Sequence, residues 1–318
     1  MSRQLSFDSI TTTALSKYKS GWNHWAQFCD RRVQADGTVH GQWMSGTDRE
    51  RDEKQIIDYI AYEGFFANDG KGWATSTIRS KVAAIGFMPT CNYYPDPVVG
   101  NPRIKATFKA LDNRVRESAQ VKLPATKEIV TSAMRRVTQC RSYSKKGKET
   151  VNAAMQSAWL FFLRSSEYCF VDGGAHDYCL WLGGIAFYDE ERRGLSFREA
   201  HRAVAMSFVV RGSKTDQARV GCIRRLNRTG LEIDAAGAVA NMLQSRSDEW
   251  LNDPLRQLFE LESGKAVSGA QISKALKLGV GDLGPDSRRY ATHSLRHGGA
   301  TAMAAAGIPT EVIRRWGR

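Results

Sequence analysis

The sequence predicts a mainly α-helical protein with one small antiparallel β-sheet, arranged as two domains. Three observations predict it. Apolar residues recur at spacings of three and four through most of the chain, the signature of amphipathic helices. Short runs rich in valine, isoleucine and phenylalanine are confined to residues 178–226, as expected of strands. Leu123-Pro124-Ala125-Thr126 breaks the helical pattern, because proline disfavours helix at the residue before it and threonine can cap the helix that follows. The domains are therefore placed at 1–122 and 123–318.

The first part reads as all-helical. Leu15, Tyr18, Trp22, Trp25, Phe28 and Cys29 form one apolar stripe, and Ile56, Ile57, Tyr59, Ile60, Phe65 and Phe66 form a second, over 48–67. A third helix is predicted over 75–88 on Ile78, Val82 and Ile85. A fourth is predicted from Pro102 to about Glu117, with proline where helices tolerate it. Beyond the break, a helix over Lys127–Cys140 leads to a polar, basic loop over 141–148 and a long, mostly apolar helix over 150–170. Strands are predicted at Cys179–Phe187, Ala203–Arg211 and Arg219–Leu226, with Gly212-Ser213-Lys214-Thr215-Asp216 as a hairpin turn. Helices resume at 234–246, 254–262, 269–278 and 292–306, and a last one starts after Pro309.

At 318 residues the chain can bury two cores, and its 42% apolar content excludes a disordered class. No apolar run approaches the roughly 20 residues that span a bilayer, and residues 1–20 lack the apolar segment of a signal peptide. A soluble, intracellular protein with no membrane partner is expected. The six cysteines have no paired spacing, so reduced thiols are expected rather than disulfides or a zinc finger.

Net charge is +13, and residues 101–148 hold 13 Lys or Arg against three acids. Two readings fit this concentration: a nucleic-acid footprint, or a solvated linker. On the first, the contacting residues are Lys17, Lys19, Arg79 and Lys81 on the helical faces, then Arg103, Lys105, Lys109, Arg114, Arg116, Lys145, Lys146 and Lys148.

Five further residues bear on chemistry. Arg164 lies in an apolar helix pattern, where a guanidinium is costly unless paired or facing an anion. Glu167, three residues on, can orient it; a purely structural ion pair fits equally. Lys214 at the hairpin tip is either a solvated lysine or a mobile acid that donates a proton. His293 and Arg296 share one helix face and together suit a phosphate. His293 and His297 have zinc-ligand spacing, but no third ligand is in view, so no metal or other cofactor is expected. Gly298-Gly299 predicts close backbone packing. Arg164, Lys214, His293 and Arg296 together form a cationic set suited to stabilising a pentacovalent phosphorane without metal ions.

Over essentially its whole length the chain resembles the tyrosine recombinase (phage integrase) family. The segment FLRSSE resembles the family's first arginine box, VRGSKTDQ its β-hairpin lysine, and THSLRHGGATAMAAAGI its His-x-x-Arg box. The resemblance implies a helical core-binding domain, with two crossing helices near 12–29 and 75–88 on DNA, followed by an α+β catalytic domain. It implies a C-shaped clamp on double-stranded DNA and, on paired sites, a homotetramer. Arg164, His293 and Arg296 would hold the scissile phosphate, Glu167 would buttress Arg164, and Lys214 would protonate the leaving 5′-oxygen. A tyrosine would form a 3′-phosphotyrosyl link. Family members carry a histidine or tryptophan and then that tyrosine beyond the I-x-x-x-G-R segment, which here ends at Arg318. Tyr168 and Tyr290 are in the wrong segments, and Trp316 reads as core packing, so this chain is expected to lack the nucleophile. The alternative implied is a non-catalytic DNA-binding relative derived from a mobile element; a metal-dependent nuclease finds no motif.

Overall fold

The computed structural model describes residues 7, 10, 12–32, 41–44, 48–114, 121–169, 179–212 and 221–317. Two compact units divide the chain, Met1–Ala119 and Gln120–Arg318. Among the described residues no helix is long and apolar enough to cross a membrane.

The first unit is built from α1 (Thr12–Asp30), α2 (Arg49–Phe65), α3 (Thr75–Thr90) and α4 (Pro102–Arg114). Its core takes the predicted stripes: Trp22, Trp25, Ile56, Tyr59, Ile60, Ile78, Val82 and Ile85 are buried, with Ile104, Phe108 and Leu111 from α4. Helices α1 and α3 meet closely at Gly21, where a Cβ would stand 2.9 Å from that of Ala84. Asp48 starts α2 by accepting from the Arg51 amide at 3.0 Å, as a cap should.

The second unit begins with α5 (Lys127–Gln139), α6 (Lys145–Leu160) and the single turn α7 (Ser165–Tyr168). The sheet follows as β1 (Ile185–Tyr188), β2 (Gly194–Leu195), β3 (Ala205–Val210) and β4 (Cys222–Asn227). Its order is β2-β1-β3-β4 with every pair antiparallel. Then come α8 (Ala235–Gln244), α9 (Asp248–Leu251), α10 (Gly269–Gly281), α11 (Thr292–Ala305) and α12 (Thr310–Trp316). The core joins Ala154, Met155 and Ala158 of α6 to Phe187 and Phe208 of the sheet, Val239 and Leu243 of α8, and Leu295 of α11.

Three expectations are corrected here. The basic stretch 141–148 is not all loop: Ser144 caps α6 by accepting from the Gly147 amide at 3.0 Å, so Lys145, Lys146 and Lys148 occupy the first helical turn. The long helix over 150–170 stops at Leu160. Phe162 turns left-handed at φ 52°, and the Leu163 amide donates back to the Ala158 carbonyl at 3.1 Å, the pattern of a Schellman stop. Residues 254–262 are not helical. The Leu182 amide donates to Arg256 and the Leu258 amide to Leu180, at 2.8 and 2.9 Å. Pairing with segment 180–182 thus takes the backbone groups that a helix would have used, and Leu258 and Phe259 are still buried.

Candidate functional site

The predicted phosphate residues come from two places in the second unit: the turn after α6 and the first turns of α11. Arg164 caps α7. The buried Glu167 carboxylate accepts from the Arg164 amide at 2.8 Å and from its guanidinium at 3.1 Å. The guanidinium is thus braced from behind by Glu167, and a quarter of its side chain is exposed.

Arg296 projects from α11 and donates to the carbonyls of Phe162 and Gly317. Two of the five guanidinium N–H groups are thus fixed on backbone, which sets the plane of the rest. Burial, reinforced by the nearby charge of Arg164, brings its pKa down to about 10. His293 is exposed as a whole residue, yet partial burial of its imidazole, and then His297, Arg296 and Arg164, hold it below its ordinary value. Both shifts mark Arg164, His293 and Arg296 as one electrostatic neighbourhood. Like charges so gathered favour an anion between them.

The glycine pair makes this convergence possible. A Cβ on Gly298 would lie 1.9 Å from the Ala125 carbonyl oxygen, and one on Gly299 would lie 2.0 Å from that of Trp159. Only bare backbone lets α11 sit against the end of α6. The His293 and His297 rings are 4.4 Å apart, and among the described residues no three His, Cys, Asp or Glu side chains cluster as a metal site.

Sequence reasoning missed Arg224. It lies on β4 at an inward position, 4% exposed, and donates to the Phe161 carbonyl. Its charge adds to the lowering of the Arg296 pKa. The signal in the sequence was weak: in Cys222-Ile223-Arg224-Arg225-Leu226, one of two adjacent arginines must face inward because side chains alternate along a strand. Trp316 packs as expected, its ring stacked near Phe161 and its indole N–H on the Leu160 carbonyl at 2.9 Å.

Lys214 and Arg116 lie outside the described residues. Lys17, Lys19, Arg79, Arg103, Lys105, Lys109, Arg114, Lys145 and Lys146 are exposed, and Lys148 is half-buried. Arg79 pairs with Asp112 at 2.8 Å and Arg103 with Glu53 at 3.1 Å. Lys81 is the exception and corrects the expectation for it. It is buried, ion-paired with buried Glu63, and lies 4.8 Å from the Trp73 ring centroid. Opposite charge from α2 holds it inside the helical unit, where it cannot meet a DNA backbone. Tyr168 is fully buried, its hydroxyl pKa raised first by burial, and Tyr290 is 4% exposed.

No protein-family model and no curated protein matches the sequence. Among solved structures, the Tn1549 transposon integrase in complex with transposon right-end DNA is similar over 99% of this chain and 90% of that chain. Identity is 13% and the TM-score 0.52. The XerH site-specific recombinase bound to difH substrate matches over 94% of this chain and 89% of that chain, at 12% identity and a TM-score of 0.42. A Flpe–Holliday junction complex matches over 98% and 79%, at 11% and 0.39. The chain therefore shares the fold of the Tn1549 integrase, mainly helical with a small antiparallel sheet.

Proposed function

We propose that the chain is a tyrosine recombinase, a site-specific DNA recombinase or integrase working by metal-free phosphoryl transfer. The observation that carries this reading is the joining of Arg164 and Arg296 at one turn, each fixed by backbone or carboxylate and both depressing the proton affinity of His293. Such a site suits the extra negative charge of a pentacovalent phosphorane better than a ground-state diester. Arg164 and Arg296 hold the non-bridging oxygens, His293 donates to the same group, and Glu167 keeps Arg164 aimed. Lys214 is the acid for the leaving 5′-oxygen. The attacking group is a tyrosine, giving a 3′-phosphotyrosyl link. Burial leaves neither Tyr168 nor Tyr290 suited to that role.

Double-stranded DNA is the partner. The fold shared with a DNA-bound integrase, the +13 charge and the exposed cations on α1, α4 and α6 support this. Assembly as a homotetramer on paired sites belongs to the same reading.

The test starts by selecting duplexes from a random library on the 318-residue chain and sequencing those retained. On the selected duplex, externally supplied hydroperoxide stands in for the tyrosine. The expected result is cleavage at one phosphate, abolished by Arg164→Ala and Arg296→Ala while duplex binding persists. Tight binding with no discrete cut would favour the non-catalytic DNA-binding relative instead. Loss of duplex binding itself would sink both.

A further inference from the structure

The turn that ends α6 is held in an unusual way. Three successive carbonyls, Leu160, Phe161 and Phe162, accept from three side chains of different elements: the Trp316 indole of α12, Arg224 of β4 and Arg296 of α11. Carbonyls at a helix C-terminus lack intrahelical partners and carry the negative end of the helix dipole, so cationic donors suit them. Phe162 occupies the left-handed position usually given to glycine, at φ 52°. A non-glycine residue there is strained and persists only where its surroundings over-determine it. Two residues further on is Arg164.

We propose that Arg224 is a positioning residue of the phosphate site, clamping the Phe161–Leu163 turn so that Arg164 and Arg296 converge on one anion. The inference rests on the reading of Arg164, His293 and Arg296 as a phosphate clamp. Across the sheet Arg224 pairs with Phe208, whose ring lies 4.4 Å from that of Phe161. A core methionine would fill such a place without the cost of burying a charge. The guanidinium is instead spent on the Phe161 carbonyl, next to the carbonyl that anchors Arg296. Its charge also falls on the pocket, since it lowers the Arg296 pKa together with Arg164. In this role Arg224 acts by fixing the backbone that leads to Arg164 and carries the carbonyl anchoring Arg296.

The test is a titration of the full chain with inorganic sulfate, followed through the His293 ring signals, with thermal unfolding recorded in parallel. Arg224→Met is expected to bind sulfate about tenfold or more weakly, the scale of a small misplacement in such a site, with unchanged or higher Tm. Arg224→Lys keeps the charge and a donor and is expected to recover most of the affinity, a rescue that a role in packing alone does not predict. Should Arg224→Met not fold, Arg224→Gln, too short to reach the carbonyl, takes its place. Wild-type sulfate affinity in a folded neutral variant overturns the inference. Arg296→Ala separates the two ideas. If it too leaves sulfate binding intact, the phosphate-clamp reading fails. If it alone abolishes binding, only the role of Arg224 fails.

Discussion

The buried carboxylate of Glu167 takes both the backbone amide and the guanidinium of Arg164, so one side chain sets the start of α7 and the aim of the arginine above it. Glu167→Ala removes both bonds from a site with no access to water. It is expected to lower stability by about 2–3 kcal/mol and to weaken sulfate binding through loss of the Arg164 orientation. Glu167→Gln keeps an acceptor for the amide and is expected to lose only about 1 kcal/mol. Calorimetric unfolding of the two variants checks this, and equal Tm values for Ala, Gln and wild type would remove Glu167 from the site.

Lysines predicted to meet DNA divide into two physical classes, and salt dependence tells them apart. Lys145 and Lys146 are exposed on the first turn of α6. Each phosphate contact adds about 0.9 to the slope of log K against log salt. The double change Lys145→Ala, Lys146→Ala is therefore expected to flatten that slope by up to about 2. Lys81→Met is expected to leave the slope unchanged while costing about 3 kcal/mol, because buried Glu63 loses its partner. A flatter slope for Lys81→Met, or none for the lysine pair, would reverse the assignment.

Binding of an anion should depend on pH through His293. Burial and the charges of His297, Arg296 and Arg164 hold its pKa below 6.5, the value it regains when the chain unfolds. The unfolded chain thus takes up this proton first as pH falls, so His293 lowers stability as pH drops through 6.5. A bound anion offsets the neighbouring cations and raises the proton affinity of the imidazole. Sulfate, whose charge is constant between about pH 5.5 and 7.5, should bind more tightly toward the acid end of that range. His293→Gln should flatten the profile. Calorimetry in buffers of different ionisation heat reads the proton uptake, and its absence in the wild type would rule out His293 as a ligand.

Much of this site was legible because its chemistry is local in the chain. Arg164 with Glu167 and His293 with Arg296 are each three residues apart, and both pairs share a turn of helix. Other features depended on tertiary placement that spacing cannot report. Lys81 looked like an exposed cation until Glu63 and Trp73 closed around it. Residues 150–170 looked like one helix because apolar periodicity does not reveal a left-handed residue such as Phe162. Arg224 gave little sign of itself, since its partner is a carbonyl 63 residues away.

Gly299 offers the sharpest steric test of how α11 is seated. A methyl group there would stand 2.0 Å from the Trp159 carbonyl oxygen and 2.5 Å from the Phe162 ring, and the carbonyl belongs to helix backbone that cannot step aside. Helix α11 must therefore move, carrying Arg296, which lies three residues earlier on the same face. Gly299→Ala is expected to cost about 2–3 kcal/mol and to weaken sulfate binding about tenfold as Arg296 leaves its register. Gly281→Ala is the control: nothing lies within 4 Å of its Cβ position at the end of α10. That substitution should change stability by less than about 1 kcal/mol, with helix propensity on its side, and leave sulfate affinity alone. If Gly299→Ala behaves like Gly281→Ala, the close approach of α11 to α6 is not what brings Arg296 to Arg164.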